Sequence, residues 1–253
     1  MYKVSLFVFV KIFSKNKKHV VSDKKLFDAK YETDNHVKLV RIVNNKKKQS
    51  YIVSMFNADD VETSINMKTA NRLINDFRNI PADKEVHVII HTLGGDLSAA
   101  EIIARLISRH KGKVTAIVPN YAYSGGTIIA FAYDEIITSE SSVFGPVDPQ
   151  MIFPANSIIS AVKSHGKFAI EQLFKIESEK AVEDVKKLLK DTVKFKNEEN
   201  RDEQINKIIS DLVDGDLLHG HPIFCDRLIS YGMNIKVDNE LTNKLCQDLE
   251  LVL

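Results

Sequence analysis

Hydrophobic and polar positions change their spacing several times along this chain, and each change marks an element. Residues 51–56, YIVSMF, are a short apolar run of β-branched and aromatic side chains, the composition of a buried strand. In DVETSINMKTANRLINDFRNIPADKE, which follows within a few residues, Ile65, Leu73, Ile74 and Phe77 recur at helical spacing, and Pro81 closes the segment because it cannot donate to a helical ladder. VHVIIHT (86–92) is again a strand. Leu93-Gly94-Gly95-Asp96 then turns into LSAAEIIARLISRHKGK, whose apolar positions return every three or four residues, and VTAIVPN (114–120) is the next strand.

A second glycine turn, NYAYSGG, leads into GGTIIAFAY as a helix, and DEIITSESSVFGPVDPQ reads as a further strand with a proline-bound turn. From about residue 168 two charged amphipathic helices run to Gly215, their charges read as solvated faces, and LISYGMNIKV supplies a helix end, a glycine and a last strand. Strand, turn, helix, strand at this spacing predicts crossover units and a largely parallel sheet of the α/β class. No repeat is visible in the residues themselves.

Composition changes the picture mainly at the N-terminus. With 253 residues, 44% hydrophobic and 27% charged, the chain can bury a substantial core. The net charge of +1 hides an asymmetry: residues 1–50 carry 13 Lys+Arg against 4 Asp+Glu, a surplus of +9, and the remainder carries −8. Residues 1–50 are therefore read as a basic segment apart from a domain at 51–253. The apolar run Val4–Val10 meets Lys11, well short of the roughly 20 residues that span a bilayer, and no small-residue cleavage site follows it. An exposed or edge strand is the plainer reading of this segment; weak contact with an anionic membrane surface is the sharper one.

Two cysteines, Cys225 and Cys246, without a CxxC spacing and without any Asn-x-Ser/Thr sequon, point to a reducing, cytoplasmic setting, with membrane association as the alternative. His219, His221 and Cys225 lie close in LHGHPIFCD but match no zinc spacing, so no metal is expected. Neither glycine turn contains GxGxxG or GxxxxGK[ST], which disfavours dinucleotide and nucleotide phosphates. No cofactor and no nucleic acid is expected.

The two turns IIHTLGGDLSAA and VPNYAYSGGTII follow successive strands, so in a parallel sheet both open at the carboxyl edge, where such folds place their sites. Each runs into a helix, whose free N–H groups and dipole favour an anion. Ser124 there is open to two readings: a polar N-cap, which is the usual role of a lone serine, or a nucleophile whose oxyanion is received by backbone N–H groups of the glycine turns.

HTLGGDLSAAEIIARLI, KVTAIVPNYAYSGGTIIAFAYDEIITSESSVFGPVDPQ and GDLLHGHPI resemble the serine dehydrogenase proteinase family of the ClpP and crotonase superfamily, near signal peptide peptidase A. The likeness runs from about residue 51 to 240. It implies a spiral of ββα units with a mainly parallel sheet, peptide or protein substrates, a homo-oligomer, Ser124 as nucleophile, and Gly94, Gly95 and Gly125 around the oxyanion. GPVDPQ stands where ClpP places its histidine and has none, so a ClpP-type triad in its usual positions is not supported. The nearer peptidases resemble a Ser-Lys dyad, for which Lys163, Lys167 and Lys180 are candidates; Lys167 stands just before the long helix and Lys180 within SEKA. A lysine base must lose about 4 kcal/mol of preference for its proton through desolvation or nearby positive charge, so a surface lysine cannot serve. His219, three residues before Pro222-Ile223, needs no such adjustment. His91 is expected to fix the first glycine turn, and Leu93 replaces the family's usual proline there. A crotonase-like acyl-CoA enzyme and a non-catalytic binding or assembly module are the competing readings.

Overall fold

The strand propensities and the glycine turns assemble four successive units of one kind. The structure is a computed structural model and describes residues 40–44, 48–54, 64–150, 159, 163, 169–215 and 217–248. Val4–Val10, Lys167 and most of the basic N-terminal segment lie outside the described residues. In chain order the elements are β1 (Val40–Asn44), β2 (Lys48–Ser54), β3 (Ser64–Ile65), α1 (Met67–Arg78), β4 (Glu85–Ile89), β5 (Gly94–Gly95), α2 (Leu97–Ser108), β6 (Val114–Val118), β7 (Tyr121–Ala122), α3 (Gly125–Ala130), β8 (Glu135–Thr138) and β9 (Val143–Phe144). There follow α4 (Ala169–Thr192), α5 (Arg201–Ile208) with a π-helical turn at Ile209–Val213, α6 (Cys225–Ser230), β10 (Ile235–Val237) and α7 (Asn239–Asp248).

A six-stranded sheet has the order β1-β2-β4-β6-β8-β10. β1 and β2 form an antiparallel pair, with Val40 opposite Ile52, and every other neighbour is parallel. The sheet thus takes in Val40–Asn44, part of the segment read as a basic N-terminal piece. After each of β2, β4, β6 and β8 the chain makes a two-residue strand before its helix, and these short strands pair with one another, β3 with β5 and β7 with β9. A bridge between Thr92 and Ala122 links the two pairs. The mainly parallel α/β fold of ββα units is the one expected.

Local chemistry sets the element ends. Asn66 caps α1, accepting from Lys68 N (2.9 Å) and Thr69 N (3.2 Å), and Asp96 caps α2 by accepting from Ala99 N (2.7 Å). α2 buries Ala99, Ala100, Ile103, Ala104 and Ile107 on one side, and these small residues let it approach both α1 and α3. Val86, Val88, Val114, Ala116 and Val118 alternate within the sheet layer beneath them. The helix expected over 125–133 is real but shorter, because Phe131 N returns to Thr127 O and Ala132 N to Ile129 O before the chain leaves for β8. Among the described residues no helix is long and apolar enough to cross a membrane.

Candidate active site

Both glycine turns open at the same carboxyl edge of the sheet, and hydrogen bonds lace them together. Thr92 N donates to Tyr121 O (3.2 Å) and Tyr123 N to Thr92 O (3.0 Å), so the approach to Gly94 lies along the approach to Ser124. Thr92 Oγ1 also accepts from Gly94 N (3.1 Å) and fixes the first turn. His91, expected to do this, instead packs its ring against Tyr121 with centroids 4.1 Å apart, and among the described residues its Nδ1 has no partner. Burial at 4% exposure pushes the His91 imidazole down to about 4.

Ser124 stands at the strand-to-helix junction with φ +50° and ψ −117°, and among the described residues it is the one non-glycine with positive φ. A β-carbon in that region carries strain of about 1–3 kcal/mol, which persists only where surrounding structure enforces it. Its backbone carbonyl accepts from Thr127 N (2.9 Å) and Ile128 N (3.2 Å), but its side chain makes no capping hydrogen bond. The N-cap reading of the hydroxyl is therefore set aside: among the described residues the hydroxyl of the half-buried Ser124 is left uncommitted at the start of α3.

The glycines are required by space as well as by backbone angle. A methyl on Gly94 (φ +99°) would come within 2.8 Å of Ser124 Cβ and Tyr123 O, and one on Gly95 (φ +148°) within 2.2 Å of Ile65 O. In the β3–β5 ladder Ile65 lies opposite Gly95, and its carbonyl accepts from Asp96 N (2.8 Å). In a parallel ladder that pattern turns the N–H of Gly95 away from β3. Gly95 N itself lies beside the start of α3, 3.7 Å from where a methyl on Gly125 would stand. Gly125 is the first residue of α3, so its N–H has no acceptor in its own helix. Two backbone donors and the serine hydroxyl thus share one corner.

The candidate bases differ sharply in surroundings. Lys180 is exposed on α4 (65%) and pairs with Glu177 at 3.2 Å, and Lys163 is exposed as well. His219 is half-buried, and its Nδ1 lies 2.8 Å from Asp148 Oδ1. Among the described residues no side chain is hydrogen-bonded to Ser124 Oγ. Asp148, inside GPVDPQ, was not singled out in the sequence: that segment draws attention for its lack of a histidine, and a pairing across 71 positions leaves no local signature. Thr127 is the other residue sequence reasoning passed over. Buried in α3, its hydroxyl donates to Ala122 O (2.6 Å), with Gly145 O at 3.1 Å, and accepts from Gly145 N (3.1 Å).

A mainly parallel sheet built from ββα units, with the serine elbow at its carboxyl edge, places the chain in the α/β class. The chain belongs to the family of ClpP-like SDH-type serine proteinases, whose pattern it matches over residues 3–252. It is 32% identical over 210 residues to the uncharacterized protein MJ0137 of Methanocaldococcus jannaschii, covering 79% of this chain and 72% of that one. It is 36% identical over 190 residues to the uncharacterized protein MJ1495 of the same organism, covering 74% of this chain and spanning 63% of that protein's length. Among solved structures, methylmalonyl-CoA decarboxylase superposes with a TM-score of 0.52 at 13% identity over 88% of this chain and 77% of that one. ClpP1 from Listeria monocytogenes gives 0.44 at 15% identity over 71% and 90%.

Proposed function

We propose that this protein is a serine peptidase that cleaves peptide bonds through an acyl-enzyme at Ser124. The observation that carries the reading is the enforced positive φ of Ser124 beside Gly94, which leaves its hydroxyl uncommitted next to the donors of Gly95 and Gly125. Membership of a serine proteinase family supports it. In the first step Ser124 Oγ bonds to the substrate carbonyl carbon and gives up its proton to a base. The oxygen that gains charge is received by Gly95 N–H and Gly125 N–H, an arrangement typically worth about 3 to 4 kcal/mol per donor. The C–N bond then breaks, the amine leaves with the base's proton, and a water activated by the same base releases the acyl group.

His219 is the base this reading adopts. An imidazole accepts a proton near neutral pH without the desolvation a lysine requires, and the solvated Lys180 and exposed Lys163 lack that desolvation. Lys167 lies outside the described residues and enters as a control. Assembly into a homo-oligomer belongs to the same proposal and is checked by light scattering.

Incubation with a fluorophosphonate, followed by peptide mapping, tests the reading. We expect stoichiometric labelling at Ser124 in the wild type, none in Ser124→Ala, and at least a hundredfold slower labelling in His219→Gln, with Lys167→Ala close to wild type. Equal labelling of wild type and Ser124→Ala would sink the nucleophile, and full-rate labelling of His219→Gln would sink the base.

A further inference from the structure

One carboxylate in the segment that follows β9 has no part in the steps above. Asp148 is buried (8% exposed) in Pro146-Val147-Asp148-Pro149, and its oxygens are divided between two partners. Oδ1 faces His219 Nδ1 at 2.8 Å, and Oδ2 accepts from Gln150 Nε2 at 3.0 Å. Among the described residues Asp148 is the charged group in contact with the His219 ring.

The surroundings tie this pair to the serine elbow. β9 pairs with β7, Ala122 opposite Phe144, two residues before Ser124, and Thr127 of α3 grips Gly145 at the start of the Asp148 segment. The loop carrying His219 is pinned to that same segment at both ends. On one side Val147 N donates to Leu212 O (3.0 Å); on the other Phe144 and Ile223 exchange both backbone hydrogen bonds (2.8 and 2.9 Å). Three residues of chain separate Gly145 from Asp148, a reach of about 10 Å at most, and a methyl on Gly145 would meet the Tyr123 ring at 2.4 Å. Aspartate, histidine and serine are therefore held on one pinned framework.

We propose that Asp148 is a positioning residue for the reaction of Ser124, completing a triad whose chain order is serine, aspartate, histidine. The inference rests on the peptidase reading above. An ionised carboxylate only accepts hydrogen bonds, so its contact with Nδ1 places the ring proton there and leaves the lone pair on Nε2. Nε2 takes the proton of Ser124 Oγ as the O–C bond forms and delivers it to the leaving nitrogen as C–N breaks. In deacylation it takes a proton from water and returns it to Oγ. Asp148 keeps its charge throughout and stabilises the imidazolium present between the two transfers. A histidine in GPVDPQ is then not needed, because the aspartate there serves a histidine supplied from residue 219.

The alternative is that Asp148 only staples the His219 loop, and Asp148→Asn separates the two, since asparagine keeps the shape and one acceptor but presents an amide in place of the second oxygen. We expect kcat for a peptide ester to fall roughly a thousandfold or more with KM little changed, and Asp148→Glu to recover part of the loss. In proton NMR of the wild type we expect a far-downfield Nδ1–H resonance that vanishes in His219→Gln and in Asp148→Asn. Full kcat in folded Asp148→Asn overturns the proposal while leaving labelling of Ser124, and so the peptidase reading, intact. Should Asp148→Asn fail to fold, the wild-type resonance decides: its presence supports the role, and a His219 proton on Nε2 instead overturns it. Absence of fluorophosphonate labelling in the wild type defeats both.

Discussion

At the scale of single residues, Ser124, the proposed nucleophile, sets function against stability. Its φ of +50° is one that glycine adopts freely and a β-carbon resists. Ser124→Ala keeps the β-carbon and hence the strain; Ser124→Gly removes both hydroxyl and strain. We expect neither variant to hydrolyse peptides, and the glycine variant to be more stable than the alanine variant by about 1 kcal/mol in urea unfolding, after the entropy glycine adds to the unfolded chain. Equal stability of the two would mean that the backbone angle is not held against resistance. Gly95 makes the converse case. A methyl there would meet a backbone carbonyl at 2.2 Å, which no rotamer change relieves, so Gly95→Ala is expected to cost at least about 2 kcal/mol and to slow labelling of Ser124 by displacing one proposed oxyanion donor.

At the scale of elements, α3 is too short to hold the elbow by its own hydrogen bonds, and Thr127 joins it to the strands on either side. Thr127→Val keeps the shape, removes the hydroxyl and leaves the buried N–H of Gly145 without an acceptor. The expected loss is about 2–4 kcal/mol by urea unfolding, together with a fall in kcat, because the segment leading to Asp148 loses its tie to the serine helix. Retention of both stability and kcat would remove Thr127 from the framework.

The long periodic segments of these elements were legible in the sequence. Leu73 and Phe77 mark the buried face of α1, and Ile103 and Ile107 that of α2, because a stripe at helical spacing can only be covered by one neighbour. The corner formed by Gly94, Gly95 and Ser124 was legible too, since both turns had to open at one sheet edge. The ββα repetition was legible only through the family resemblance and not from periodicity, because the second strand of each unit is two residues long. The choice of base was not legible: Lys180 looks as plausible as His219 until α4 is seen to turn it into solvent, and the partnership of Asp148 with His219 depends on a loop pinned at Leu212 and Ile223 by backbone groups, which any side chain would permit.

At the scale of the whole molecule, two buried groups give stability opposite slopes with pH. Burial lowers His91 from 6.5 to about 4, so the folded state binds fewer protons than the unfolded chain between those values. That contribution is complete above pH 6.5 and is lost as pH falls through 4. Burial raises Asp76 from 3.8 to about 6, against the opposing pull of Arg72, so there the folded state binds more protons. Its contribution is complete below about 3.8 and is lost as pH rises through 6. Each is worth at most about 3 kcal/mol, so between pH 4.5 and 7 the two oppose one another in the wild type, and His87, also lowered by burial, adds to the His91 side. Single substitutions uncover the hidden slopes. Unfolding in urea at pH 7 and at pH 4.5 should show Asp76→Asn losing about 2 kcal/mol more than the wild type on acidification and His91→Phe about as much less than the wild type, whatever either costs at pH 7. The comparison is of slopes because Asp76→Asn also deprives the buried Arg72 of its anion at pH 7, where Asp76 is ionised, and not at pH 4.5, where the wild-type carboxyl already holds its proton. Because His91 directly precedes Thr92, which ties the two glycine turns together, its protonation bears on the proposed catalytic corner as well as on global stability. Labelling of Ser124 should accordingly survive brief exposure to pH 4 better in His91→Phe than in the wild type, and a variant no more acid-resistant than the wild type would separate the two effects.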